Sequence, residues 1–373
     1  MSIVARRAAI IGLTLAFGGS LRAQQQASAP AAQAQVAAAI ARARAFVADT
    51  MSRIGAPGAQ IAVMRGGRII WSEGFGFADL EQQVRVTPTT RFRIGSVSKS
   101  LTSALLGKLV EQGKLDLDAP VQKYVPSFPT KNWPITTREL GGHLAGIRHY
   151  DRDEENVVYR HYADVVAGLA VFANDSLRFQ PNTRYSYSSY GWNLISAVLQ
   201  GAAGAPYLSQ MQRQVFDAAD LRHTSPDVVD SIIPGRARWY TKTSRGPDGR
   251  VVNAPFTDNS YKWAGGGFIS TTEDLVTFGD AMLHGRLLQP STVKLLWTSQ
   301  KTLDGKETGY GIGWGVDRDA AGRERVSHSG GSVGGTAMLI IYPKEDLIIA
   351  MLVNSDVTFV GATSKVAEMF LTP

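Results

Sequence analysis

Ser96 and Lys99 carry the strongest chemical signal, within Thr90-Arg-Phe-Arg-Ile-Gly-Ser-Val-Ser-Lys-Ser-Leu-Thr-Ser-Ala-Leu-Leu106. Behind them Leu101, Leu105, Leu106 and Leu109 recur at helical spacing, so the run predicts a buried helix with Ser96 at its first turn. On such a helix residues i and i+3 share a face, which sets the Ser96 hydroxyl beside the Lys99 amine. A hydroxyl next to an amine at a helix N-terminus is the chemistry of a Ser-Lys nucleophile. A serine-rich cap followed by a surface lysine has the same spacing, and Ser291-Thr-Val-Lys294 repeats it late in the chain.

Such a nucleophile needs a second proton-handling group, an oxyanion hole and a feature that grips the substrate. Tyr187-Ser-Ser189 follows the turn Gln180-Pro-Asn-Thr183 and precedes a helical pattern at Trp192. A tyrosine at that junction can project its phenol into a cleft, where a cationic lysine would lower its pKa. The alternative is a core tyrosine with a satisfied hydroxyl. His328-Ser-Gly-Gly331 lies at a predicted strand edge, where glycines let the backbone approach a ligand closely. A turn between two strands remains open for it.

The elements that must hold these groups follow from periodicity. Val36, Ile40, Ala43, Val47, Met51 and Ile54 step by three or four, an amphipathic helix stopped at Gly55-Ala-Pro-Gly58. Apolar runs on either side of Gly66-Gly67 predict a hairpin. From Lys114 to about Arg250 the chain reads mostly helical, with Thr136-Thr-Arg-Glu139 at capping-box spacing and helical patterns over 164–172 and 192–199. Asp151-Arg-Asp-Glu-Glu155 reads as a solvated charge run. Strand character returns over 236–243 and 251–255, and Thr271-Thr-Glu-Asp274 opens a further helix. Strands over 311–316, 337–342 and 347–353 and a helix over 360–371 close the chain. The fold class is therefore α/β (α+β). One antiparallel sheet is built from both chain ends (36–95 and 255–373), with flanking helices and a mostly helical subdomain (96–254) inserted.

Composition narrows the function. Of 373 residues, 44% are hydrophobic and 19% charged, as in an ordinary globular protein. The absence of cysteine excludes disulfides, thiolate metal sites, a cysteine nucleophile and an acylated lipoprotein anchor. Arg6 and Arg7 followed by the apolar stretch 8–17 and small residues up to Ala23 read as a cleavable signal peptide, residues 1–23. The apolar stretch is too short to span a membrane, which predicts a periplasmic or secreted protein; a retained anchor is the alternative. Residues 24–35, rich in Ala and Gln, read as a flexible linker before a catalytic domain over 36–373. The formal charge of +7 falls to +4 once the leader arginines Arg6, Arg7 and Arg22 are set aside. That excess is scattered and no nucleic-acid module is present, so nucleic acid is not an expected partner. The six histidines show no paired zinc-ligand spacing, so a metallohydrolase is not expected.

Taken in order, the motifs resemble those of the serine β-lactamase-like hydrolases: penicillin-binding proteins, class C β-lactamases and related esterases. Ser96-Val-Ser-Lys99 matches the first motif, Tyr187-Ser-Ser189 the second, and His328-Ser-Gly330 stands in place of the third. Leu140-Gly-Gly-His-Leu-Ala-Gly-Ile147, Gly265-Gly-Gly-Phe-Ile-Ser-Thr271 and Tyr310-Gly-Ile-Gly-Trp314 frame them. Gly146-Ile-Arg-His-Tyr150 and Asp258-Asn-Ser-Tyr-Lys-Trp-Ala-Gly-Gly-Gly267 are closer still to the mitochondrial serine β-lactamase-like branch, regarded as filament-forming serine peptidases. Gly330-Gly-Ser-Val-Gly334 fits the hydrolase-elbow formula, but a strand pattern follows it instead of a helix.

The resemblance implies a β-lactamase/transpeptidase-like fold and a two-step acyl transfer without a cofactor. Ser96 would attack, Lys99 would be the base and Tyr187 would return the proton. The N–H groups of Ser96 and Gly331 would hold the oxyanion, with Ser189, His328 and Gly330 at the substrate. Ser189 stands where many relatives carry Asn, and His328 where they carry a permanently charged lysine. Both departures favour a peptidase or esterase acting on small-molecule or peptide substrates over an efficient β-lactamase. A D-Ala-type peptidoglycan peptidase, and a homo-oligomeric or filament-forming scaffold with a vestigial site, are the alternatives.

Overall fold

The computed structural model describes residues 17–150, 159–244, 249–357 and 359–371. Helix α1 (Phe17–Ile54) leads into strands β1 (Gly58–Arg65), β2 (Arg68–Asp79), β3 (Val84–Arg85) and β4 (Phe92–Arg93), then helix α2 (Val97–Glu111). Helices α3 (Thr137–Gly141), α4 (Ser189–Ala203) and α5 (Tyr207–Met211) precede strands β5 (Ser225–Pro226), β6 (Tyr240–Lys242) and β7 (Val251–Asn253). The last third runs α6 (Trp263–Gly266), β8 (Phe268–Ser270), α7 (Thr272–Leu283), α8 (Pro290–Leu296) and β9 (Gly315–Arg318). It ends with β10 (Glu324–Ser332), β11 (Gly335–Tyr342), β12 (Leu347–Val353) and α9 (Val360–Leu371).

The main sheet has the order β3-β2-β1-β12-β11-β10-β9, so both chain ends build it, and its pairings are antiparallel. Its centre is buried on both faces. Ile348, Ala350 and Leu352 face one core with α2 and α7, while Ile349, Met351 and Val353 face the other with α1 and α9. That is why Leu347–Val353 is a continuous apolar run and does not alternate. Gly66 and Gly67 supply the two positive φ angles, 57° and 69°, of the β1–β2 hairpin. Helix α2 is buried almost throughout, and its small polar residues pin its neighbours. Ser100 Oγ donates to Gly313 O at 2.8 Å, and Trp314 Nε1 donates to Ser103 Oγ at 2.9 Å.

Three local expectations differ. The stretch 24–35 is helical and part of α1 despite Pro30 within it; its alanines and glutamines are good helix formers. Most of the signal segment (1–16) and the charge run Asp151–Glu155 lie outside the described residues. Among described residues the middle of the chain is less helical than its pattern suggests: 164–172 holds only a 3₁₀ turn, Ala167–Val171. Residues 311–314 are not strand, because Gly313, at φ 81°, breaks the extended path and β9 starts at Gly315. Among the described residues no helix is long and apolar enough to cross a membrane.

Candidate active site

Ser96 occupies the N-cap position of α2, with φ −65° and ψ −9°, and its side chain is partly exposed. Its backbone N–H donates to no backbone carbonyl among the described residues. One turn further on, Lys99 is fully buried. Its Nζ lies 2.9 Å from Ser96 Oγ, 3.1 Å from Ser189 Oγ and 2.6 Å from Gly265 O. No carboxylate is among these partners. Burial, helped by the nearby charge of Lys262, holds the Lys99 amine well below its usual pKa.

Ser188 caps α4 through a bond from Gly191 N, which leaves Tyr187 just outside the helix. Its hydroxyl faces the side chains of Ser96 and Ser189, and its ring lies 4.9 Å from Lys99 Nζ. The expected lowering of its pKa is reversed. Burial raises it and outweighs the opposing influence of the Ser96 and Ser189 hydroxyls. Ser189 is buried with its hydroxyl turned to Lys99, so that hydroxyl is already engaged inside the cluster.

Strand β10 lies against the entry to α2. A Cβ on Gly330 would fall 2.0 Å from Ile94 O and 3.1 Å from Ser96 N, so only glycine allows this approach. Gly331 is exposed, with open space where a side chain would project. His328 is buried, and both ring nitrogens are used: Nδ1 donates to Ser329 O at 2.6 Å, and Nε2 accepts from the Tyr310 hydroxyl at 2.7 Å. Burial, with the charge of Lys99, drives its pKa down to about 3. It is therefore neutral at physiological pH.

Sequence reasoning assigned no role to three residues of this wall. His143 is buried at φ 60°, an unusual backbone for a non-glycine residue. It brackets Tyr187: Ser186 N donates to His143 O at 2.9 Å, and Ser188 N donates to its Nδ1 at 3.1 Å. Its ring packs 4.2 Å from that of Tyr187 and 4.6 Å from that of Tyr310. Burial first, then Lys99, keep His143 neutral. Tyr310 holds His328, and His149 Nδ1 accepts from Ser189 N at 3.1 Å. Each stands in a segment quoted above only as framing. Ser291 and Lys294 lie on peripheral α8, away from the cluster.

A family model described as beta-lactamase matches residues 43–371. The chain belongs to the beta-lactamase family. It is similar to the human mitochondrial serine beta-lactamase-like protein LACTB, 34% identical over 86% of this chain and 75% of that protein. Protein flp of Staphylococcus aureus is 25% identical, over 82% of this chain and 61% of its own. Among solved structures, a D-stereospecific amidohydrolase from Streptomyces aligns with a TM-score of 0.72 at 27% identity, covering 86% of this chain and 97% of that one. An octameric penicillin-binding protein homologue from Pyrococcus abyssi shares the fold, with a TM-score of 0.77 at 23% identity over 89% of this chain and 77% of its own. The beta-lactamase family is one of serine hydrolases, and its fold is the mixed α/β sheet described above.

Proposed function

We propose that the protein hydrolyses ester or peptide bonds through an acyl-enzyme on Ser96. The observation that carries this reading is the Lys99 amine, buried without a carboxylate among its hydrogen-bond partners and 2.9 Å from Ser96 Oγ. A neutral amine has two N–H donors and one lone pair. It donates to Gly265 O and Ser189 Oγ and keeps the lone pair for the Ser96 hydroxyl.

Ser96 Oγ forms a bond to the substrate carbonyl carbon as its proton passes to Lys99. The oxyanion is held by the N–H groups of Ser96 and Gly331; one such donor contributes about 10²–10³ in rate. Tyr187, neutral and facing Ser96, relays the proton to the leaving group as the carbonyl–leaving-group bond breaks. Water then enters, gives its proton back through the same relay, and releases the acid and the Ser96 hydroxyl. Neither metal nor cofactor is required by these steps. With His328 neutral, fixed recognition of a penicillin-type carboxylate through that position is lost, which favours esters and peptides over β-lactams.

The test is covalent labelling by a fluorophosphonate probe, followed by a panel of esters, peptides, D-Ala-D-Ala termini and nitrocefin. Labelling is expected in the unchanged protein and absent in Ser96→Ala; equal labelling of both removes Ser96 from this role. Export rests on Arg6, Arg7 and the apolar stretch that follows them. An intact mass retaining residues 1–23 in an expressing bacterium would refute cleavage.

A further inference from the structure

His143 stands where a helix commonly ends on glycine. Helix α3 closes with a Schellman turn: His143 N donates to Leu140 O at 3.2 Å, and Leu144 N donates to Glu139 O at 2.8 Å. That turn requires a left-handed residue directly after the cap, and glycine adopts such a backbone without steric cost. Here the cap is Gly142, and the left-handed residue is His143, at φ 60°. A side chain is therefore held at this point against the local preference of the backbone.

That residue is turned to the Tyr187 segment. His143 O accepts from Ser186 N at 2.9 Å and His143 Nδ1 accepts from Ser188 N at 3.1 Å, so one residue grips the backbone on both sides of Tyr187. The ring adds a third contact, 4.2 Å from the Tyr187 ring. Because Nδ1 accepts, the ring proton sits on Nε2. That N–H is buried and has no acceptor among the described residues. A buried donor without a partner is destabilising, as is the left-handed backbone, and both fall on this one residue.

The ring stays neutral in this setting. Lys99, His328, His149 and the phenols of Tyr185, Tyr187 and Tyr310 are the titratable groups around it. Burial first, then the charge of Lys99, holds its pKa well below that of a free histidine. A protonated ring would carry an N–H at Nδ1 and lose the Ser188 bond.

We propose that His143 is a positioning residue: its carbonyl and Nδ1 clamp residues 186–188 so that the Tyr187 hydroxyl stays where it can hand a proton to the leaving group. The inference rests on the Ser96 reading, and the two fail separately. Absent fluorophosphonate labelling of the unchanged protein removes Ser96, and the tautomer of the His143 ring still reports the clamp.

Two acetates distinguish this role from a merely structural one. A 4-nitrophenolate departs without a proton, whereas the alkoxide leaving benzyl acetate needs one from Tyr187. In His143→Ala, kcat/KM for benzyl acetate should fall about 10²-fold, as for loss of one placed proton donor, while that for 4-nitrophenyl acetate should change little. His143→Asn should recover part of the loss, because asparagine tolerates the left-handed backbone and its Oδ1 can accept from Ser188 N. Equal losses on both esters, or no recovery in the asparagine variant, overturn the proposal. Should His143→Ala fail to fold, or benzyl acetate not be turned over, the unchanged protein decides. Nitrogen NMR of the ring is expected to show Nδ1 unprotonated and Nε2 protonated from about pH 5 to 8, and a proton on Nδ1 in that range overturns the clamp.

Discussion

Lys99 meets three oxygen partners at 2.6–3.1 Å, none of them a carboxylate, and burial keeps its pKa well below that of a free lysine. With Lys99 as the proposed base, activity should rise with pH as the Lys99 ammonium loses its proton. The acidic limb of a kcat/KM profile should show a midpoint well below 10.5. Lys99→Arg keeps a cation that cannot deprotonate, so it should abolish fluorophosphonate labelling at every pH at which the protein stays folded. Recovery of labelling by the arginine variant at high pH would refute the base assignment. Stability has the same sign. The unfolded chain binds a proton at Lys99 that the folded chain does not, in the window between the lowered and the ordinary pKa. Lys99 therefore destabilises the fold at low pH, and stability is regained as pH rises through that window. Lys262 behaves alike, between about 8 and 10.5.

The meeting of α2 with β10 is where two elements make one site. Ile94 and Gly95 lead into α2 with their backbone against Gly330 and Gly331, and a Cβ at Gly95 would lie 2.5 Å from Gly331 O. Gly330→Ala should push the strand away from Ser96 and reduce labelling about 10²-fold, as expected for a misplaced oxyanion donor. Gly331→Ala, whose methyl enters open space, should leave the melting temperature unchanged; a scan of both variants by labelling rate and thermal melt separates them. The sequence made Ser96 and Lys99 legible because a helix converts i,i+3 spacing directly into contact. Tyr187 was legible as a cap-junction residue, and β11 and β12 as apolar runs. His143, Tyr310 and Lys262 were not, since their roles come from partners 44, 18 and about 160 residues away: Tyr187, His328 and Lys99. The Tyr187 phenol was misjudged for a related reason. Proximity to a lysine is visible in a motif, whereas the burial that raises the phenol's pKa is a property of the packed fold.

Across the whole molecule, the chain ends and the inserted middle are tied by one buried ion pair. Arg93 of β4 donates Nε to Asp227 Oδ2 at 2.7 Å, and the two side chains are 5% and 2% exposed. The guanidinium also donates to Val333 O in the β10–β11 turn at 2.8 Å and to Thr257 O at 3.4 Å, and its face lies 4.7 Å from the Trp239 ring. Asp227 adds Asn259 and Arg236. Four segments distant in sequence, including the one that carries Lys262, thus share one charge network. Replacing both members of such a pair by apolar groups can be neutral, but removing one leaves a buried charge unpaired and costs about 3–5 kcal/mol. Asp227→Ala should lose about that much stability in denaturant unfolding. Because Arg93 then lies uncompensated beside Lys262, the Lys262 ammonium should also titrate at lower pH in Asp227→Asn, which keeps the shape and the Asn259 contact region. Asp227→Ala unfolding at the same denaturant midpoint as the unchanged protein would show that the four segments are held by packing alone.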